Sequence, residues 1–146
     1  MTWGGFDLER FVSAQDAGGT YERALQELQR GRKESHWMWF VFPQLVGLGR
    51  SAMSERYAIS SLDEARAYLA HPVLGARLVE CAQAVAAAPP GYTAVDVFRS
   101  VDAMKLRSSI TLFARAAPGE DSFARVLDRW WGGTPDPATE ALLAGE

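Results

Sequence analysis

The apolar residues between Asp121 and Trp131 recur at a spacing suited to a helix. Phe123, Val126, Leu127, Trp130 and Trp131 fall at i, i+3, i+4, i+7 and i+8, which places them on one side of a 3.6-residue repeat. Tyr21, Ala24, Leu25 and Leu28 repeat the pattern, as do Leu74, Leu78, Cys81 or Ala82, and Val85. No run shows the strict alternation of a half-buried strand. The expected fold is therefore all-α: a single domain over residues 1–146, an irregular bundle of about six to seven helices, with 1–6 and 134–146 as flexible ends. Phe11, Leu25, Phe40, Leu78, Val85, Phe113, Leu127 and Trp130 are expected to share one core.

Punctuation residues divide the chain. Asp7 and Thr20 suit N-caps, and Gly31 stands where a left-handed C-terminal glycine belongs. Ser61 followed by Glu64 fits a capping box. His71-Pro72 ends that helix, and Pro72 can begin the next. Pro89-Pro90-Gly91 stops a further helix, Thr93–Asp96 can open one turn, and Ser100 or Asp102 caps a helix running to about Ala114. The apolar run Trp37–Phe42 reads as a buried strand or a short buried helix; its helical surroundings favour the helix.

At 146 residues the chain can bury a core of its own without a metal or disulfide. Fifteen basic and eighteen acidic residues give a net charge of −3, which argues against a dedicated nucleic-acid binder. The lone Cys81 suits a reducing compartment and reads as a buried thiol. No basic-then-apolar leader opens the sequence, and the longest apolar run is too short to span a membrane, so a cytoplasmic location is expected. His36 and His71 lack metal-ligand spacing, and no phosphate-loop, dinucleotide or nucleophile-elbow motif occurs. Neither a metal nor a cofactor is expected.

Two segments carry polar residues that local structure does not require. In the first, His36 and Gln44 flank an aromatic run containing Trp37 and Trp39. In the second, Asp102, Lys105 and Ser109 fall on one helix face, with Ser108 beside them. Each has a bland reading: aromatics build cores, and helix hydroxyls bond to backbone. The functional reading is that both segments meet at one cleft. There Lys105, with Arg56 or Arg77, holds an anion, and Trp37 or Trp39 stacks on a ring. Gln44, Ser108 and Ser109 supply hydrogen bonds, and His36 or Asp102 moves a proton. The ligand would be a small anionic or nucleotide-like metabolite. A non-catalytic protein-interaction module, with the aromatic run partly exposed as a groove, is the alternative.

The motifs H-W-M-W-F-V-F-P-Q at His36–Gln44, G-L-G-x-S at Gly47–Ser51, S-x-x-Y-A-I at Ser54–Ile59 and D-x-x-K-L-x-S-S at Asp102–Ser109, followed by T-L-F at Thr111–Phe113, are joined by E-A-x-x-Y-L-x-H-P-x-L-G-x-R-L at Glu64–Leu78. Together they resemble a small bacterial family of a domain of unknown function, sometimes labelled calpastatin. The resemblance runs from about Phe6 to Gly133 and implies a mainly helical fold. The family commonly reads Phe-Gly before the aspartate, where this chain has Phe98-Arg99-Ser100, and it tends to methionine where Ile110 stands.

Overall fold

The computed structural model describes residues 3–89 and 91–145. Among these, the helices are α1 (Glu9–Asp16), α2 (Thr20–Gln29), α3 (Met38–Val41), α4 (Ala52–Arg56), α5 (Leu62–Ala70), α6 (Leu74–Ala86), α7 (Ala94–Ala116), α8 (Asp121–Trp131) and α9 (Pro137–Ala144). Two of them, α3 and α4, are single turns, so seven helices of eight residues or more remain. The only β pairing among the described residues is two isolated bridges, Trp3 with Phe6 and Leu45 with Ile59. The fold is a single all-α domain.

Local chemistry sets most boundaries. Ser61 Oγ accepts from Glu64 N at the start of α5, while the Glu64 carboxylate turns to Ser60 N and to Arg10. Helix α6 starts at Leu74 rather than Pro72, because His71 Nδ1 accepts from Val73 N and Leu74 N and holds the turn. At Thr93 a full capping box forms with Asp96. Asp7 does not cap α1, whose N-cap is Leu8, and Thr20 is the first residue of α2 rather than its cap.

Helix α7 is two helices in series. Arg99 takes φ 65° and ψ 169°, a conformation that ends the first and redirects the second. This region belongs essentially to glycine and costs a larger residue about 1–3 kcal/mol. Asp102 consequently lies inside the second helix and caps nothing.

The second half of α7 is the central helix, against which α3, α5, α8 and α9 pack, while α6 bridges α2, α5 and α8. Helices α5 and α6 approach to backbone contact: a Cβ on Gly75 would stand 2.1 Å from the Leu69 carbonyl oxygen. Aromatic rings run through the core from Phe123 to Phe113, Tyr68, Phe11 and Tyr57, with successive centroids 5.1–6.1 Å apart. Phe11, Phe40, Leu78, Val85, Phe113 and Leu127 are buried as expected, whereas Leu25 and Trp130 are only partly covered. Position 27, off the apolar stripe of α2, is occupied by a buried glutamate instead.

The carboxyl segment 134–146, for which its prolines leave a short helix or a flexible end open, contains the helix α9 over its described residues, with Thr139 and Leu143 buried. Thr111 Oγ1 accepts from Asp136 N at 2.8 Å, and Asp136 accepts in turn from Ser108 Oγ and from Thr139. Arg107 donates to the Thr134 carbonyl. No helix of the described residues is long and apolar enough to cross a membrane.

Candidate functional site

The run 37–42 forms the turn α3 and is almost wholly interior: Trp37, Met38, Phe40, Val41 and Phe42 are buried. What fixes it is Glu27. Its carboxylate accepts from Glu34 N, Ser35 N, Ser35 Oγ and the Trp37 indole at 2.6–3.0 Å. Burial would raise its pKa, but these four bonds outweigh burial and hold it at about 2. A buried anion therefore organises a loop that has no regular structure of its own.

After Pro43 the chain turns back and pairs with residue 59: Val46 N donates to Ile59 O, and Ile59 N to Gln44 O, both at 2.8 Å. Loop 47–49 then closes against α4. A Cβ on Gly49 would lie 2.4 Å from Ser54 Cβ, so only glycine lets the loop approach this closely. Ser51 caps α4 by accepting from Ser54 N. The result is a concave cavity of about 350 Å³. Met38, Phe42, Leu45 and Tyr57 give it an apolar floor; Trp39, Gln44, Arg50, Ser54, Glu55 and Lys105 add ring and polar groups.

Lys105 reaches this cavity from α7. Its ammonium is 5.5 Å from the Trp39 ring centroid and 3.9 Å from Asp102 Oδ1. The other Asp102 oxygen is 2.8 Å from Lys33 Nζ, which also lies 4.9 Å over the Trp37 ring and donates to the Ser35 carbonyl. Asp102 is thus engaged chiefly by Lys33. Lys105, itself largely covered, is left with a distant carboxylate and a ring face.

Of the residues singled out from sequence, Trp39, Gln44 and Lys105 share the cavity. Asp102 stands behind Lys105 but does not line it. Trp37 is interior and bonded to Glu27. Ser108 donates to Met104 O and to Asp136, which gives it a structural use. Ser109 is fully buried, and its hydroxyl has no protein partner. His36 is exposed and lies outside the cavity lining. Arg77 pairs with Asp16 and Gln15, and Arg56 sits over Tyr57; neither lines the cavity. Arg50, Ser54, Glu55 and Tyr57, which do, were not anticipated. The signal available for them was the G-L-G-x-S pattern, whose glycines mark a tight loop.

The chain belongs to the family described as protein of unknown function (DUF1810), whose model matches residues 5–143. It is also similar to a solved structure, the conserved hypothetical protein Rv1873 from Mycobacterium tuberculosis. The two are 50% identical, with 95% of this chain and 97% of that chain covered and a TM-score of 0.91. No curated protein matches the sequence.

Proposed function

We propose that the cavity between α3, α4 and α7 binds a small anionic metabolite carrying a flat ring, of nucleotide-like character. The observation that carries this is Lys105. A largely covered ammonium, held over an indole and only 3.9 Å from its nearest carboxylate, has hydrogen-bonding capacity directed at an open cavity. A partly covered ammonium that faces an open cavity gains charge-assisted hydrogen bonds from an anionic ligand. Arg50, which also lines the cavity, has no ion-pair partner among the described residues and adds a second cation against the single carboxylate of Glu55. The Trp39 face and the apolar floor take the ring; the Gln44 amide and Ser54 hydroxyl orient it.

The reading is one of binding. His36 stands outside the cavity, and Asp102 is engaged by Lys33, so neither is placed to move a proton on a ligand seated there. A partner groove built on the aromatic run would need residues 37–42 at the surface, and most of their side chains are interior.

The test is a thermal-shift screen with nucleoside monophosphates, dinucleotides and sugar phosphates. A site-specific ligand at about 100 times its Kd adds about 2.7 kcal/mol, a rise of about 5–10 °C for a domain of this size. Lys105→Ala is expected to melt near the parent and Trp39→Ala below it, because Trp39 packs against the core, and both are expected to lose the shift. If no compound of these classes moves the parent, or Lys105→Ala keeps the full shift, the proposal is wrong.

A further inference from the structure

A second cavity, of about 420 Å³, opens between the loop after α2 and the first half of α7. It is lined by Arg30, Arg32, Lys33, Tyr92, Asp96 and Arg99, among others. The charges around it do not cancel. Lys33 is taken by Asp102 at 2.8 Å, and Asp96 is taken by its cap, accepting from Thr93 N at 2.8 Å. Arg32 has only Glu34, at 3.8 Å and widely exposed. Among the described residues Arg30 and Arg99 have no ion-pair partner at all. Three arginines, all exposed, therefore line one polar hollow in a protein whose net charge is −3.

Arg99 adds an independent observation. It carries its side chain to this hollow from a backbone conformation that glycine adopts without strain, φ 65° and ψ 169°. Glycine would serve the chain turn with less strain, and the arginine side chain lines the hollow instead. Guanidinium groups present paired N–H donors that match the oxygens of a phosphoryl group. Beside them stands the half-exposed ring of Tyr92, packed near Gly31.

We infer that this hollow is a second anion site, separate from the Lys105 cavity, which takes the multiply charged phosphoryl group of a small molecule through Arg30, Arg32 and Arg99. The assignment does not depend on the function proposed for the first cavity. The site is built by the loop that Glu27 organises and by the break in α7, so its arginines are aimed by two fixed backbone features.

Isothermal titration calorimetry at constant ionic strength, with inorganic phosphate, pyrophosphate and a nucleoside diphosphate as probes, tests the assignment. Saturable pyrophosphate binding is expected, and Arg30→Gln and Arg99→Gly should each weaken it by about tenfold or more. In a Lys105→Ala background, where the first cavity has lost its anion-holding ammonium, the binding that depends on Arg30 and Arg99 should persist, which separates failure of this site from failure of the first. Arg99→Gly removes strain together with charge, so its melting temperature without ligand should equal or exceed the parent's while its binding falls. Tighter nucleoside diphosphate than pyrophosphate binding, lost in the same variants, identifies a phosphate ester as the natural occupant and supports the site; the reverse order identifies the free anion and also supports it. Absence of saturable binding overturns the inference. So does binding indifferent to Arg30→Gln and Arg99→Gly, or loss in Lys105→Ala alone. A single-stranded oligoribonucleotide that binds more tightly than pyrophosphate, through the same arginines, would overturn the small-molecule assignment.

Discussion

Replacing Glu27 by glutamine separates the charge of the buried carboxylate from its shape. Glu27 Oε1 accepts three N–H groups, from Glu34, Ser35 and Trp37, while Oε2 accepts the Ser35 hydroxyl. An amide can keep Oε1 toward the three N–H donors and let Ser35 rotate to accept from its NH2. The variant thus loses mainly charge assistance. Its magnitude follows from the acidity: the carboxyl is held at about 2, against an ordinary 4.5, and at 1.36 kcal/mol per pH unit this corresponds to about 3 kcal/mol of stability. Because the folded value is the lower one, that stability is fully present above pH 4.5 and is lost as pH falls towards 2. Urea unfolding of the parent and Glu27→Gln, followed by circular dichroism from pH about 7 to about 2.5, should show a gap of about 3 kcal/mol at neutral pH that closes on acidification. The other carboxyls titrate in both proteins and cancel. A gap that stays constant with pH, or one under about 1 kcal/mol at neutral pH, would refute the charge argument.

Three further outcomes follow from the packing. Phe113→Ala, which empties the middle of the ring chain, should lower unfolding free energy by about 3–5 kcal/mol in urea; a loss under about 1 kcal/mol would mean that the ring is not enclosed. Gly75→Ala places a methyl 2.1 Å from the Leu69 carbonyl and must push α5 from α6, so thermal unfolding should show a loss of at least about 1–3 kcal/mol. Burial pushes the Cys81 thiol up to about 12; a disulfide reagent at mildly alkaline pH should leave the native protein unmodified and react on addition of denaturant, and labelling of the native state at the rate of a free thiol would contradict this.

How far the chain could be read without coordinates depends on the range of the interaction involved. Phe123, Val126 and Leu127, and Leu74 through Val85, follow a local period, and the structure buries them accordingly. Glu27 was invisible because a carboxylate is normally assigned to solvent; its partners lie seven to ten residues on, in a loop with no period. Of the polar residues in α7, Lys105 reaches a cavity, whereas Ser108 and Thr111 secure Asp136. Their spacing is common to both uses, and only tertiary contact separates them. His36 and Trp39 are three residues apart, yet only Trp39 faces the cavity, because Trp37 between them is drawn inward to Glu27.

Helix α9 bears on how the protein can be handled. Leu142 lies against loop 47–49, 3.8 Å from where a Cβ on Gly47 would stand, and Asp136 is fastened to α7 through Ser108 and Thr111. A bulky label attached on α9 near Leu142 therefore stands beside loop 47–49, two of whose residues, Gly47 and Gly49, line the cavity. Affinities measured on such a chain include the crowding of its own attachment. At the opposite end Trp3 rests on His71, with ring centroids 5.0 Å apart, beside a turn that contributes nothing to either cavity. A label on this pair touches no residue that lines either cavity.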